Sequence, residues 1–483
     1  MILGYSPSGI RNPSQSHIQI RNEHIALMKD SIFKRGVFSR FLSPERIFVL
    51  SFAALIFAGS FLLWSSFSAA KKPLSFVDAL FTSASAVCVT GLASIDIGKD
   101  LSFAGQIITL FLFQIGGLGI ITFSTLFLVL IGRGISIKER DILQSSFLYT
   151  PQRDFLSLVN SIILFTLFFE FLGMILLWVR FSQDFSAGEA IYQAAYHAIS
   201  AFNNCGYSLF SDSLMRYQGD LLVNCTVMAL IVVGGIGFVV QYELLAKLKG
   251  MKRRISVHTR IVILVTAILI LSGAILFYSF ERDHILKDLP IKSQVLASFF
   301  QSVVPRTAGF NTVDIGLLTN ETLFMIIALM FIGASPGSTG GGVKTTSASI
   351  LFLLMWSRFR GREEINVFRR TIPRELVQRT ISITLASLLI ISLIFSTLLL
   401  SGRVGLAPFE SRHLFLEYLF ETVSAFGTVG LSMNLTPKLN DFQKLAVIVM
   451  MFAGRVGPLT LALSLSRTTK RSLTFAEEEI MVG

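Results

Sequence analysis

Along this chain the apolar positions run together instead of alternating. Stretches at 47–67, 104–131, 155–179, 221–245, 261–280, 323–356, 376–400 and 445–465 carry few charges. An α-helix needs about 20 such residues to cross a hydrocarbon layer. The eight stretches fall into four pairs, and within each pair lies a shorter apolar segment followed by a polar loop. Pro73, Gly188 and Pro290 stand near the starts of the first three short segments. Segments too short to span are expected to enter the membrane and turn back. Non-helical backbone survives at that depth only where protein or a water-filled path surrounds it.

The loops after the short segments repeat one signal, centred on a glycine. They read Ala86-Val87-Cys88-Val89-Thr90-Gly91-Leu92, Ala201-Phe202-Asn203-Asn204-Cys205-Gly206-Tyr207, Val304-Pro305-Arg306-Thr307-Ala308-Gly309-Phe310 and Ser424-Ala425-Phe426-Gly427-Thr428-Val429-Gly430-Leu431-Ser432. Aligned on the glycines, an aromatic stands ten residues upstream in every copy: Phe81, Tyr196, Phe299 and Phe420. Ser-Ala precedes three of the glycines at the same distance (Ser85-Ala86, Ser200-Ala201, Ser424-Ala425), and the third copy has Val303-Val304 there. A β-branched pair such as Thr428-Val429 stiffens an extended segment, and the glycine then permits a conformation closed to other residues. Such a segment is expected to aim a row of carbonyl oxygens one way, and rings of carbonyls replace the hydration shell of a potassium ion. Four similar units in one chain predict a pseudo-fourfold arrangement about an axis.

Composition fits a membrane protein. Of the 483 residues 52% are hydrophobic and only 15% charged, with mean hydropathy +0.67; soluble domains carry about 25% charged residues. The net charge of +12 would suggest a nucleic-acid partner in a soluble protein. Here the basic residues gather in the first 45 positions, 133–153, 247–260, 358–379 and the C-terminal tail, and the opposite loops hold Asp96, Asp100, Asp184, Asp212, Asp220, Asp283 and Asp314. That asymmetry predicts cytoplasmic termini and basic loops, with Lys252-Arg253-Arg254 a topology signal or a partner contact. No cleavable leader is expected in 1–45. Three cysteines, Cys88, Cys205 and Cys225, argue against a disulfide framework.

Gly116-Gly117-Leu118-Gly119 and Gly234-Gly235-Ile236-Gly237 predict close helix packing behind the loops. The stretch 323–356 is too long for one ordinary span. Its centre, Ala334-Ser335-Pro336-Gly337-Ser338-Thr339-Gly340-Gly341-Gly342-Val343-Lys344-Thr345, cannot hold a helix, since Pro removes a donor and Gly adds backbone entropy. Two helical halves joined by an irregular loop beside the ion path are expected. The same string nearly spells a phosphate-binding loop, but Lys344 comes one place late and no strand precedes it. Arg455 lies midway along the last apolar run, where a charge is expensive and functional by default.

With these parts assembled, the chain resembles the Trk/Ktr/HKT superfamily of potassium transporters over about residues 46–466. Eight spans without an added leading pair look most like the Ktr membrane (KtrB-like) subunit, as do Gly-Arg-Glu-Glu-Ile at 361–365 and Gln-Ile-Gly-Gly-Leu-Gly at 114–119. The resemblance implies an all-α polytopic fold of four M1–pore-helix–M2 repeats in pseudo-fourfold arrangement around one ion pore. The repeats would occupy 46–132, 154–247, 258–357 (with a broken second helix) and 376–466, flanked by cytoplasmic tails 1–45 and 467–483. Potassium would be held by a filter of Val89, Thr90 and Gly91, Asn204, Cys205 and Gly206, Thr307, Ala308 and Gly309, and Thr428, Val429 and Gly430. Gly337, Ser338, Thr339, Gly340, Gly341, Gly342 and Lys344 would form the gate, with Arg455 beside it.

The resemblance further implies a homodimer in the lipid bilayer of the plasma membrane, on a cytoplasmic ring of nucleotide-binding (KtrA-like) regulatory subunits. Uptake by the Ktr branch is often sodium-dependent. No cofactor, no enzyme activity and no nucleic-acid partner are implied for this chain. Plant members that favour sodium typically carry Ser at the position matching Gly91, so glycine in all four repeats is the pattern associated with potassium. The departure is the second copy, Asn-Cys-Gly, whose Asn203 and Asn204 leave a sodium-permeable or weakly selective transporter of the same fold as the alternative. A membrane-embedded ATPase would need an acidic cluster or a true nucleotide loop. A secondary antiporter would need buried membrane carboxylates, and Glu170 is the one isolated candidate.

Overall fold

The computed structural model describes residues 44–119, 155–248, 250, 254–402 and 411–465. Nearly all of the two expected tails, the basic stretch 133–153, Lys252-Arg253 and the far half of 104–131 lie outside the described residues.

The chain order is a long helix, a short helix and a second helix, four times over. The first unit has α1 (Pro44–Trp64), α2 (Phe76–Val87) and α3 (Phe103–Leu118). The second has α4 (Phe155–Phe181), α5 (Ala187–Phe202), α6 (Leu221–Gly235) and α7 (Phe238–Leu248). The third has α8 (Val257–Glu281), α9 (Ile291–Val303), α10 (Asn320–Ile332) and α11 (Thr345–Phe359). The fourth has α12 (Arg374–Gly402), α13 (Arg412–Gly427), α14 (Asp441–Val456) and α15 (Pro458–Leu465).

The second helix of every unit starts on a side-chain cap. Ser102, Asp220, Thr319 and Asn440 accept from the backbone N–H three residues on, and Asn440 forms a full capping box with Gln443. These caps fix where each helix begins after a polar loop.

Packing follows a cycle. Each short helix lies against the long helix before it: α2 on α1, α5 on α4, α9 on α8, α13 on α12. Each second helix lies against the short helix of the following unit: α3 on α5, α6 on α9, α10 on α13, and α14 back on α2. At that last seam Lys444 Nζ donates to Asp78 Oδ1 at 2.7 Å, and Asp78 also accepts from Ser75 and Ser94. The short helices form the interior, with Phe81, Tyr196, Phe300 and Phe420 fully buried beside Ser85, Ser200 and Ser424. In the third unit the aligned aromatic, Phe299, is exposed, and its neighbour Phe300 takes the buried place.

The long helices turn apolar residues outward. Leu164, Ile275 and Leu389 are 72%, 65% and 72% exposed. A soluble monomer does not leave such faces to water; hydrocarbon is their solvent. Among the described residues three helices are long and apolar enough to cross a membrane, Asn160–Phe181, Val257–Glu281 and Arg374–Gly402.

Three expectations need correction. The run 221–245 is not one straight helix, because α6 and α7 meet at 102°. The run 445–465 is broken too, between α14 and α15 at Gly457-Pro458. In both, a glycine with positive φ (Gly237 +95°, Gly457 +91°) ends the helix inside an apolar run. Third, a small antiparallel hairpin, Asn366–Val367 with Arg370–Thr371, interrupts the all-α pattern in the basic 358–379 stretch.

Candidate functional site: four loops in a closed ring

The four glycine-centred loops begin as C-caps of the short helices. In the first, Thr90 N–H donates to Ser85 O (2.8 Å) and Val89 N–H to Ala86 O (2.9 Å). The second repeats this with Cys205 to Ser200 (2.9 Å) and Asn204 to Ala201 (3.1 Å), and the fourth with Val429 to Ser424 (2.9 Å) and Thr428 to Ala425 (3.1 Å). This is the Schellman arrangement, which requires a left-handed residue just past the helix. The shared Ser-Ala supplies its two carbonyls. The third loop, with Val303-Val304 in that place, shifts the bond to Ala308 N–H on Val304 O at 2.9 Å.

The left-handed position is not a glycine in any copy. Val89, Asn204, Thr307 and Thr428 have φ of +56°, +59°, +94° and +50°. The β-branched pair Thr428-Val429 therefore does not hold one extended segment, as its composition predicts; its first residue is left-handed. A side chain other than Gly in such a region costs about 1–3 kcal/mol and persists only where surroundings over-determine it. The surroundings do so here, since all four residues are buried. Two residues later, Gly91, Gly206, Gly309 and Gly430 again have positive φ, +86°, +79°, +73° and +91°.

These glycines abut one another in order. A methyl group placed on Gly91 would overlap the carbonyl oxygen of Cys205, one on Gly206 that of Ala308, one on Gly309 that of Val429, and one on Gly430 that of Thr90. Each glycine thus meets the carbonyl preceding the next glycine, and the fourth meets the first. The four glycines are half-buried, while Val89, Thr90, Asn204, Cys205, Thr307, Ala308, Thr428 and Val429 are buried. The C-terminal ends of α2, α5, α9 and α13 converge here, each with the partial negative charge of a helix C-terminus.

A second set of glycines holds the inner helices against these ends. Gly116, Gly234 and Gly454 lie where an added carbon would strike the carbonyls of Val87, Phe202 and Phe426. Three residues beyond, Gly119, Gly237 and Gly457 end or break their helices with positive φ, as does Gly333 in the third unit. Arg455 thus occupies the place of Gly117 and Gly235, an equivalence that its long side chain hides in the sequence.

Residues 333–344 link α10 to α11 without helix and lie under the ring. Gly341 N–H donates to Thr428 Oγ1 at 3.0 Å, and a methyl group on Gly340 would strike Thr307 Oγ1. Ser335 N–H donates to Gly235 O at 3.1 Å and Phe238 N–H to Gly337 O at 2.8 Å, which pins the loop to the α6–α7 break. Lys344 Nζ donates to Gly340 O at 2.6 Å, within the loop. The element before it is a helix, so the phosphate-loop context is absent. The Arg455 guanidinium donates to Thr339 O and Gly116 O, joining the fourth unit to the third and the first. Neither Arg455 nor Lys344 meets a carboxylate among the described residues.

Polar groups stand behind the ring. Asn203 Nδ2 donates to Glu170 Oε1 at 3.0 Å and to Gln114 Oε1 at 2.6 Å, and Gln114 Nε2 donates to Glu170 Oε2 at 3.2 Å. Glu170 is not the sole buried carboxylate: Glu281 and Glu421 are also fully buried. Glu281 accepts from Thr319 N–H and Oγ1, both at 2.9 Å, and so anchors the start of α10. Sequence reasoning passed over His197 and Glu421, single polar residues in short apolar segments, and gave no role to Arg306 of the third loop, which is also buried. Aligning the repeats nine residues above the glycines would have found His197 and Glu421. Cys88, Cys205 and Cys225 are free thiols.

The TrkH family description, cation transport protein, matches residues 24–472. The chain is 36% identical over 463 residues to Ktr system potassium uptake protein B of Bacillus subtilis, covering 95% of this chain and 100% of that protein. It is 35% identical to potassium/sodium uptake protein NtpJ of Enterococcus hirae, covering 94% and 100%. The crystal structure of the potassium transporter TrkH from Vibrio parahaemolyticus superposes with a TM-score of 0.67 at 20% identity, over 88% of this chain and 84% of that one. A match over nearly the whole length places the chain in the TrkH family of cation transport proteins, a transporter and not an enzyme.

Proposed function

We propose that the chain takes up potassium across the plasma membrane through a pore on the axis of four pseudo-fourfold repeats. The observation that carries the reading is the closed order of Gly91, Gly206, Gly309 and Gly430, each against the carbonyl before the next. In this reading the carbonyls of Val89 and Thr90, Asn204 and Cys205, Thr307 and Ala308, and Thr428 and Val429 replace water around the ion. Four helix C-termini add negative potential at the same place. The names of the relatives, potassium uptake protein B and potassium/sodium uptake protein, support potassium as substrate with sodium as a second or coupling ion. A sodium-permeable transporter is the second reading, favoured by the polar Asn204 in the ring.

Beneath the ring, the loop 337–342 acts as the gate together with Lys344, and Arg455 is the fixed charge beside it. A cation there repels a permeating ion by several kcal/mol at low effective dielectric. The loop moves only when its bonds to Gly235, Thr428 and Arg455 part. Homodimers on a cytoplasmic nucleotide-binding ring, with both termini on that side, supply the control; the "Ktr system" in the relative's name supports partner components.

Deleting residues 338–341 and measuring potassium flux in vesicles tests the gate. Flux is expected to rise several-fold and to lose its dependence on the cytoplasmic partner. Lowered yield of protein with no excess flux would make the loop a packing element instead.

A further inference from the structure

Nine residues before the ring glycines the four short helices carry Thr82, His197, Phe300 and Glu421, and two residues after the glycines come Ala93, Ser208, Asn311 and Ser432. Among the described residues, only the second and fourth units hold a hydrogen-bonding pair across these positions. Ser208 Oγ lies 2.8 Å from His197 Nε2, and Ser432 Oγ donates to Glu421 Oε2 at 2.8 Å.

The two pairs share one logic. His197 Nδ1 lies 2.7 Å from Gln193 O. A carbonyl only accepts, so Nδ1 carries the proton and neutral Nε2 accepts from Ser208. Ser208 Oγ in turn accepts from Phe210 N–H at 3.0 Å. Ser432 Oγ likewise accepts from Leu435 N–H at 3.1 Å, and Glu421 Oε1 accepts from Thr436 Oγ1. In each of these two units a fully buried acceptor on the short helix accepts a hydrogen bond from the serine hydroxyl while the serine oxygen closes a turn just past the ring. In the cyclic order of the units, the second and fourth lie across the ring from each other.

We propose that His197 and Glu421 are positioning residues that fix the exit from the ring along one diagonal, through Ser208 and Ser432, and thereby set discrimination between potassium and sodium. The proposal rests on the filter reading above. On the other diagonal Thr82 with Ala93 and Phe300 with Asn311 form no such pair among the described residues; there Tyr207 Oη donates to Leu92 O at 3.3 Å and Thr82 O at 3.2 Å, and Asn311 N–H donates to Ser213 Oγ at 3.2 Å. The two diagonals are held differently: the exit serines bond within their own units, and the other two exits bond to Tyr207 and Ser213 of the second unit.

Ser208→Ala, Ser432→Ala, the double variant and Ser432→Thr are compared in the full-length protein, in vesicles, by potassium and sodium uptake from one preparation. Ser432→Ala and Ser208→Ala are each expected to lower the potassium-to-sodium ratio about threefold to tenfold, the loss of one buried hydrogen bond apiece. The double variant should show the product of the two, since the sites do not touch. Ser432→Thr, which keeps the hydroxyl, should restore the ratio. Amide hydrogen exchange over 431–436 reads the brace independently of transport and should quicken in Ser432→Ala. If that variant does not fold, Ser432→Cys, with its weaker donor, should give an intermediate ratio. An unchanged ratio, with or without faster exchange, overturns the proposal. Wild-type protein that passes neither ion overturns the filter reading, while unchanged exchange over 431–436 in Ser432→Ala overturns the brace.

Discussion

Replacing Gly91 with serine is expected to cut potassium uptake at least a hundredfold and sodium uptake much less, with normal insertion. Gly91 has φ +86°. A left-handed conformation costs an ordinary residue about 1–2 kcal/mol, about tenfold in population. Steric overlap weighs more than this backbone cost. The new Cβ would overlap the backbone oxygen of Cys205, and backbone cannot swing aside as a side chain can. Either Gly91 or the Cys205 carbonyl must move, and each belongs to the ring. The same contact recurs at Gly206, Gly309 and Gly430 against Ala308, Val429 and Thr90, so serine at any of the four should damage potassium uptake. Sodium binds its water more tightly, and a disturbed ring distinguishes the two ions less well. Both fluxes are measured from the same vesicles for all four variants. Wild-type potassium flux in every one would make these glycines ordinary loop residues.

On the proposed gate, Arg455→Gln should raise flux about tenfold and uncouple it from the proposed cytoplasmic partner. The guanidinium ties Thr339 O of the loop proposed as the gate to Gly116 O of the first unit. Hydrogen bonds from a charged group contribute about 1.5–3 kcal/mol each, so its loss unties the loop from the first unit and removes a positive charge from beside the proposed path. Glutamine is shorter and neutral, and from the same Cα it cannot reach both carbonyls. Initial rates of potassium uptake at matched protein levels check this. Unchanged kinetics in a well-folded variant would remove Arg455 from the path.

Much of this arrangement is legible in the sequence because it is written four times. The glycines, the aromatics above them and Ser-Ala align by inspection, and the Gly-rich string at 337–342 cannot be helical. What the sequence hides has physical reasons. Val89, Thr307 and Thr428 are β-branched residues whose local preference is extended, and tertiary packing overrides it. The breaks at Gly237 and Gly457 sit inside apolar runs, where a glycine equally signals close packing. Gly454 matches Gly116 and Gly234, but Arg455 beside it masks the repeat. The cyclic order of the glycines is a set of contacts between residues about a hundred positions apart, and no local pattern encodes it.

The most direct test of the central claim is a structure of the full-length protein with thallium replacing potassium. Thallium scatters strongly and resembles potassium in size and hydration. The account predicts thallium density on the axis inside the ring, between the carbonyls of Thr90, Cys205, Ala308 and Val429, and its loss in Gly91→Ser. Thallium bound only elsewhere, in protein that still takes up potassium, would contradict it.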